Sequence, residues 1–136
     1  MDTATVKWIG HQRFRATGPS GHGLEFDSDR ASNQAPGPME LLLMALGACT
    51  ATDMVVILEK KRQKLEALEV ACSGERAAAP PRVWVKLEVD FHLTGSLEEA
   101  AVKQALELTK EKYCSVAAML EKTAEISWRY KILPTP

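Results

Sequence analysis

The chain has 136 residues and a formal net charge of -1, and it is 46% hydrophobic and 26% charged. This length suits one domain with a buried core, so we expect a single domain over residues 1–136. The near-neutral balance has no basic excess, which argues against nucleic acid as a partner. The N-terminus "MDTATVKWIG" lacks a secretory signal, which favours a cytoplasmic protein.

Three short strands are predicted at the start of the chain. They are "ATVKWI" (4–9), "RFRAT" (13–17) and "GLEFDS" (23–28), and the turn "GPSGHG" joins the last two. The segment "RASNQAPGPM" that follows reads as a loop, because its proline, glycine and asparagine residues interrupt regular structure. Pro38 suits the first turn of a helix, where its missing N–H is not needed.

A long apolar helix is predicted from Pro38 to about Arg62. At roughly 1.5 Å per residue it would be about 37 Å long. It is apolar on nearly every side up to Leu58, and such helices are buried all round. A small chain has little material to surround it, so we expect a second subunit to cover the rest. Asp53 and two threonines interrupt the run, which argues against a membrane span.

The remainder predicts two strands, two helices and a closing strand. "LEALEVACSGER" begins a strand, and Val83, Val85, Leu87, Val89 and Phe91 then alternate with polar residues on the next one. "GSLEEAAVKQALELTKEKY" is amphipathic, with Ser96 and Glu99 suggesting a capping box. "CSVAAMLEKTA" reads as a short helix, and "EISWRYKIL" as the last strand. The order of elements indicates an α+β fold with an antiparallel sheet.

Three cysteines are candidates for chemistry, and their odd number suggests a reducing compartment rather than a disulfide framework. Cys49 lies within the apolar helix, where a thiol is either buried packing or a nucleophile. Cys114 is predicted at a helix N-terminus, where the helix dipole and nearby lysines would lower its pKa. Cys72 reads as a structural strand residue. No spacing of cysteine and histidine typical of a zinc site occurs, so we expect no metal.

Two segments together resemble the OsmC/Ohr superfamily of thiol peroxidases. They are "APGPMELLLMALGACTATDMVVILEKKRQ" and, 65 residues on from Cys49, "LTKEKYCSVAAMLEKTAEI". The motifs P-M-E and E-K-Y-C-S-V are most similar to those of the YhfA-like branch, and the resemblance extends over nearly the whole chain. The resemblance implies an OsmC-like fold, in which a sheet packs on a long central helix in an intertwined homodimer with active sites at the interface.

The same resemblance implies a two-cysteine mechanism without metal or flavin. Cys49 matches the peroxidatic cysteine, which attacks a hydroperoxide, and Cys114 matches the resolving cysteine, which closes a disulfide. An external dithiol reductant then restores the thiols. In the Ohr branch this reductant is a lipoylated protein, which makes such a protein a candidate partner here.

The chain departs from the superfamily at the Arg–Glu pair that activates the peroxidatic thiol. The arginine's position matches about Ser20, and the glutamate's position is Met39, one residue before Glu40. The remaining candidates for activating or pocket residues are Glu40, His22, Arg15 and Asp53, with Arg13 beside them. An ionised Asp53 would raise the thiol pKa, so it would help only as a proton acceptor or as the partner of a cation.

These features lead to one main hypothesis and two rivals. The main one is a thiol-dependent peroxidase for oxidative or osmotic stress defence, with a pocket around Leu42 and Leu46 that favours organic hydroperoxides. The first rival is a non-catalytic dimer that senses redox state or binds a small ligand. The second is another cysteine-nucleophile reaction, such as thioester hydrolysis.

Overall fold

A computed structural model describes all of residues 1–136, and it is mixed α+β, as expected. The chain forms two compact units, Met1–Leu42 and Leu43–Pro136. The six strands and three α-helices are β1 (Thr5–Gly10), β2 (Arg13–Thr17), β3 (Gly23–Asp27), α1 (Pro38–Lys60), β4 (Lys64–Arg76), β5 (Trp84–Ser96), α2 (Glu99–Leu108), α3 (Ser115–Leu120) and β6 (Glu125–Leu133). A short π-helical turn, Thr109–Tyr113, separates α2 from α3.

The first unit is an antiparallel three-stranded sheet in the order β1-β2-β3, followed by a loop and the start of α1. The loop is held by Asp27, whose carboxylate accepts the backbone N–H groups of Asp29 and Gln34, each at 2.9 Å. These bonds satisfy a side chain that is fully buried. These bonds stabilise the charged carboxylate and so lower the pKa of Asp27. The largest cause is the hydrogen bond from the backbone N–H of Gln34.

The second unit contains a mixed sheet in the order β4-β5-β6. β4 and β5 are antiparallel, as predicted, but β6 runs parallel to β5, so the expectation of a wholly antiparallel sheet was wrong. The reason lies in the connection. Residues 97–124 carry the helices α2 and α3 between the two strands, and a long helical crossover returns the chain in the same direction.

The core of the second unit forms where one face of β5 meets α1 and α2. Fully buried residues of this core are Leu87, Val89, Phe91 and Leu93 of β5, Leu46, Met54 and Leu58 of α1, and Val102 and Ala105 of α2. The period-2 pattern therefore identified the buried face of β5 correctly for Leu87, Val89 and Phe91. Val85 is 42% exposed, because it stands at the start of the strand, beyond the core.

The helix α1 begins at Pro38, as predicted, and ends at Lys60. It stops because Arg62 takes a left-handed backbone conformation, with φ of 58°, and the N–H of Gln63 donates to the carbonyl of Leu58. By length and composition alone α1 is able to cross a membrane, a property that it shares with the core helices of soluble proteins.

The predicted capping box at Ser96 and Glu99 does not form. Ser96 is the last residue of β5, and α2 begins at Glu99 without a side-chain cap. The helix predicted to continue through Tyr113 also changes its winding after Leu108, where the π-turn begins. The N–H of Cys114 closes this turn by donating to the carbonyl of Thr109, at 3.0 Å.

Candidate active site

The two cysteines that the sequence singled out lie side by side in the second unit. The sulfurs of Cys49 and Cys114 and a carboxylate oxygen of Asp53 are no more than 4.8 Å from one another. Two of the three side chains come from α1, where a spacing of four residues puts Cys49 and Asp53 on the same face. The third comes from the residue between the π-turn and α3, so an irregular segment brings Cys114 to α1.

Cys114 is held in place on both its backbone and its side chain. Its N–H closes the π-turn, and its sulfur accepts the N–H of Ala117 at 3.3 Å, which makes it the N-cap of α3. Its side chain is buried, with 4% of the residue exposed. The geometry leaves little freedom to the sulfur, which faces Cys49.

The pKa of Cys114 is raised to about 12, which corrects the expectation that its helix and lysines would lower it. Burial is the largest cause, because it disfavours the charged thiolate. The Ala117 N–H acts in the opposite direction, whereas the neighbouring Cys49 and Asp53 raise the pKa further. The six-residue α3 does not overcome the loss of water around the sulfur.

Asp53 has an unusual environment for a carboxylate. Its Oδ2 atom is buried and has no hydrogen-bond partner. Burial raises the pKa of Asp53, since a carboxylate without partners is poorly stabilised away from water. Sequence reasoning had placed Asp53 near Cys49, but the contact with Cys114 depends on tertiary structure.

A cavity of about 350 Å³ opens beside this cluster. Its lining is mostly apolar, with two lysines, and consists of Asp53, Val56, Ile57, Lys60, Lys61, Leu108 and Tyr113. Asp53 belongs both to the cavity wall and to the thiol cluster, so the cavity adjoins the cluster at this side chain. Leu46, which we had expected in the pocket, is fully buried in the core instead.

The remaining predicted activating residues lie in the first unit, where each has a local partner. Glu40 accepts the N–H of Gly37 at 2.7 Å and pairs with Arg30 at 3.1 Å, so its carboxylate caps the start of α1. Arg13 and Arg15 both pair with Glu25, at 3.4 and 3.7 Å.

His22 lies in the turn between β2 and β3. Its carbonyl accepts the N–H of Gly18, and its own N–H donates to the hydroxyl of Ser20. The structure thus brings together Cys49, Cys114 and Asp53, and it gives Glu40, Arg15 and His22 partners within the first unit.

Cys72, taken as structural from the sequence, is half-buried on β4, and burial raises its pKa. Its sulfur lies on the side of α1 where Gly47 exposes the backbone, since a Cβ at Gly47 would be 3.5 Å from it. It is not one of the three clustered ligand atoms.

A profile of the family described as OsmC-like protein matches residues 31–129 of this chain. The chain belongs to the OsmC-like family. Protein YhfA of Escherichia coli K12 is 42% identical over 131 residues, which cover 96% of this chain and 97% of that protein.

Solved structures of the OsmC-like fold agree with this membership. A hypothetical protein from Aquifex aeolicus VF5 has a TM-score of 0.89 and 26% identity, with 100% of this chain and 98% of that chain covered. The organic hydroperoxide resistance protein OhrB of Bacillus subtilis has a TM-score of 0.64 and 14% identity, with 96% and 98% covered. The OsmC-like fold is therefore shared with a protein named for hydroperoxide resistance.

Proposed function

We propose that this protein is a thiol-dependent peroxidase that reduces hydroperoxides by a two-cysteine mechanism. The observation that carries the proposal is the approach of the Cys49 and Cys114 sulfurs to within 4.8 Å. Both thiols are free, and disulfide formation requires the two sulfurs to approach from at most 4.8 Å to about 2.05 Å.

Their surroundings assign different roles to the two cysteines. Cys114 is buried and has a pKa of about 12, so it is almost entirely protonated at neutral pH and is a poor nucleophile there. Cys49 is more exposed and lies beside the cavity's Asp53. We therefore assign the attack on peroxide to Cys49 and the resolving step to Cys114.

The chemical steps balance without a metal or flavin. The thiolate of Cys49 attacks the distal oxygen of the hydroperoxide, the O–O bond breaks, and the alkoxide leaves and takes a proton to become the alcohol. Cys49 is then a sulfenic acid. The sulfur of Cys114 attacks the sulfur of Cys49 and loses its proton, so that a disulfide and one water molecule form.

Electrostatics favours this order of events. A thiolate at Cys49 opposes ionisation of Cys114, since two negative charges would lie a few ångströms apart. Oxidation of Cys49 to the neutral sulfenic acid removes that charge and lowers the barrier to ionising Cys114. An external dithiol, with a lipoylated protein as the candidate, then reduces the disulfide by thiol exchange.

The cavity supports organic hydroperoxides as the preferred substrates. The cavity has an apolar wall formed by Val56, Ile57 and Leu108. This wall would bind the alkyl group of an organic hydroperoxide, which hydrogen peroxide lacks. The name of the Bacillus subtilis OhrB, an organic hydroperoxide resistance protein, agrees with this preference. We place the activity in the cytoplasm, where reduced thiols are maintained, as part of oxidative or osmotic stress defence.

A homodimer is part of the proposal. Met44, Ala48, Ala51 and Val55 recur at helical spacing along one side of α1, and Met44 and Val55 are 55% and 42% exposed in the single chain. An exposed stripe of small and apolar residues suits close packing against the same helix of a second copy.

Stopped-flow kinetics tests the peroxidase activity. Reduced protein is mixed with tert-butyl hydroperoxide or with hydrogen peroxide, and the wild type is compared with Cys49→Ser and with Cys72→Ser as the matched control. We expect the wild type and Cys72→Ser to react fastest with the organic peroxide and Cys49→Ser to be inactive. Rates no faster than that of free cysteine for both peroxides would disprove the proposal.

One observation favours a second candidate, a redox sensor without turnover. The expected activating glutamate, represented by Glu40, is used to cap α1 and pairs with Arg30, and both nearby arginines pair with Glu25. A sensor would form the disulfide slowly with any oxidant and would show no preference for organic peroxides. The stopped-flow comparison distinguishes the two functions.

A further inference from the structure

The Cys49–Asp53–Cys114 cluster contains the donor atoms of a metal site. Its two sulfurs and one carboxylate oxygen lie within 4.8 Å of one another. In a tetrahedral zinc site, Zn–S bonds of about 2.3 Å and Zn–O bonds of about 2.0–2.2 Å place the ligand atoms roughly 3.5–3.8 Å apart. A contraction of about 1 Å at most would bring the three atoms into that geometry.

A second observation concerns the hydrogen bonding of Asp53. The Oδ2 atom of Asp53 is buried without a hydrogen-bond partner, although native proteins satisfy nearly all such atoms. Asp53 as a whole is half-buried, and a carboxylate oxygen held away from water is usually satisfied by a positive charge, a donor or a metal. No cation pairs with Asp53 among the salt bridges of this structure.

We propose that the reduced protein binds a thiophilic divalent cation, with Zn²⁺ as the type, through the sulfurs of Cys49 and Cys114 and the carboxylate of Asp53. Two thiolates favour Zn²⁺ over Mg²⁺, Ca²⁺ and Mn²⁺, which prefer oxygen ligands. Asp53 also lines the adjoining cavity, so water from that cavity would be the fourth ligand.

Charge and stoichiometry are consistent with this site. Two thiolates and one carboxylate carry three negative charges, so a divalent ion leaves one, and Lys60 and Lys61 line the same cavity. Binding releases the two thiol protons to solvent and involves no redox change. Because the same sulfurs form the proposed disulfide, the metal-bound and disulfide states exclude each other.

The test uses Co²⁺ as a spectroscopic probe of the reduced, tag-free chain without oxygen, followed by Zn²⁺ competition against a chromophoric chelator. Tetrahedral Co²⁺ with two thiolates gives visible ligand-field bands and a sulfur charge-transfer band. We expect one ion per chain in the wild type and in Cys72→Ser. Cys49→Ser and Cys114→Ser should lose the charge-transfer intensity of one thiolate and bind at least tenfold more weakly.

Asp53 is tested by a pair of variants. Asp53→Asn should weaken Zn²⁺ binding at least tenfold, whereas Asp53→His, which restores a ligand atom, should bind within a few-fold of the wild type. Circular dichroism checks that each variant is folded. Absence of stoichiometric binding in the wild type, or unchanged binding in Cys49→Ser, Cys114→Ser or Asp53→Asn, would overturn the site.

The inference uses the thiols of the proposed peroxidase but not their reactivity toward peroxide. Metal binding is measured without any peroxide present. A chain that binds Zn²⁺ but does not consume hydroperoxides would therefore support the metal site and disprove the peroxidase activity. Protein oxidised with diamide to the Cys49–Cys114 disulfide should bind no Co²⁺. Retention of the cobalt spectrum after that oxidation contradicts the site.

Discussion

At the scale of single residues, Cys49 and Cys114 have the same side chain and different surroundings. Cys114 is buried at the start of α3, while Cys49 is half-buried on α1. Burial keeps the Cys114 thiol protonated, and its neighbours Cys49 and Asp53 strengthen that effect. In the proposed mechanism, this difference sets the order in which the two sulfurs react.

Alkylation should reveal this difference in the reduced protein. With a pKa of about 12, Cys114 is almost entirely protonated at pH 8, and the thiolate is the form that reacts. We expect iodoacetamide to modify Cys49 first, and modification of Cys114 in Cys49→Ser to rise about tenfold per pH unit. Peptide mass spectrometry measures both, with unfolded protein as the control. Faster modification of Cys114 than of Cys49 would contradict the assignment.

Removing the resolving thiol should trap the intermediate. We expect Cys114→Ser to react once with tert-butyl hydroperoxide and to accumulate a sulfenic acid at Cys49, because no second sulfur is present to form the disulfide. Dimedone labelling followed by mass spectrometry detects this product. Cys72→Ser serves as the control and should form the disulfide without accumulating label, whereas label on Cys72 rather than on Cys49 in Cys114→Ser would refute the proposed pairing.

At the scale of elements, helix α1 and strand β4 each contain a glycine with a different amount of space around it. A Cβ added at Gly47 meets Cys72 at 3.5 Å, which is an ordinary contact. A Cβ at Gly74 of β4 would instead lie 2.8 Å from side-chain atoms of Leu87 and Trp84. The two glycines therefore have different structural roles.

Alanine at these two positions should change stability in opposite directions. Gly47→Ala should stabilise the protein by up to about 1 kcal/mol, because alanine is the better helix former. Gly74→Ala should destabilise it by about 1–3 kcal/mol, because the sheet and core must shift to admit the methyl group. Urea unfolding measures both. A loss of stability in Gly47→Ala comparable to that in Gly74→Ala would show that the surroundings of α1 are tighter than the single chain indicates.

The loop after β3 should open in acid. Backbone N–H groups lower the pKa of Asp27 below its ordinary value of 3.8, so its contribution to stability is fully present above about pH 4. The contribution is lost as the pH falls through the lower, folded-state pKa. Hydrogen exchange of the Asp29 and Gln34 amides at about pH 3 and about pH 6 would detect the opening.

Asp27→Asn should weaken this loop at both pH values and remove most of its pH dependence. Asp2→Asn, a change at an exposed residue before β1, is the matched control and should behave as the wild type. Equal pH dependence in wild type and Asp27→Asn would assign the acid sensitivity to another group.

At the scale of the whole molecule, the apolar stripe on α1 predicts association. Val55→Lys should place a charge within the stripe and convert the proposed homodimer to a monomer, as measured by light scattering at micromolar concentration. Val85→Lys is the control, because Val85 is equally exposed, at 42%, but lies on β5. A wild-type protein with the mass of one chain, or dissociation by Val85→Lys alone, would count against the stripe as the interface.

Much of the fold was accessible from sequence patterns. The strand Glu125–Leu133 and the start of α1 were predicted at their observed residues, because periodicity and proline report on local geometry. The capping box at Ser96 failed because β5 extends through that residue. A local motif was overridden there by pairing with Lys64, a residue 32 positions away.

By itself, the sequence determined the element types and the buried face of β5, since these depend on local patterns. It also singled out Cys49 and Cys114 as candidate site residues, through two motifs that resemble those of the family. Tertiary structure decided the parallel pairing of β6 and the meeting of Cys114 with Cys49 and Asp53. It also decided that the pKa of Cys114 rises rather than falls. Pairing direction depends on how the helical crossover returns the chain to the sheet. Thiol ionisation depends on which distant segments exclude water from the sulfur. No local sequence pattern records either.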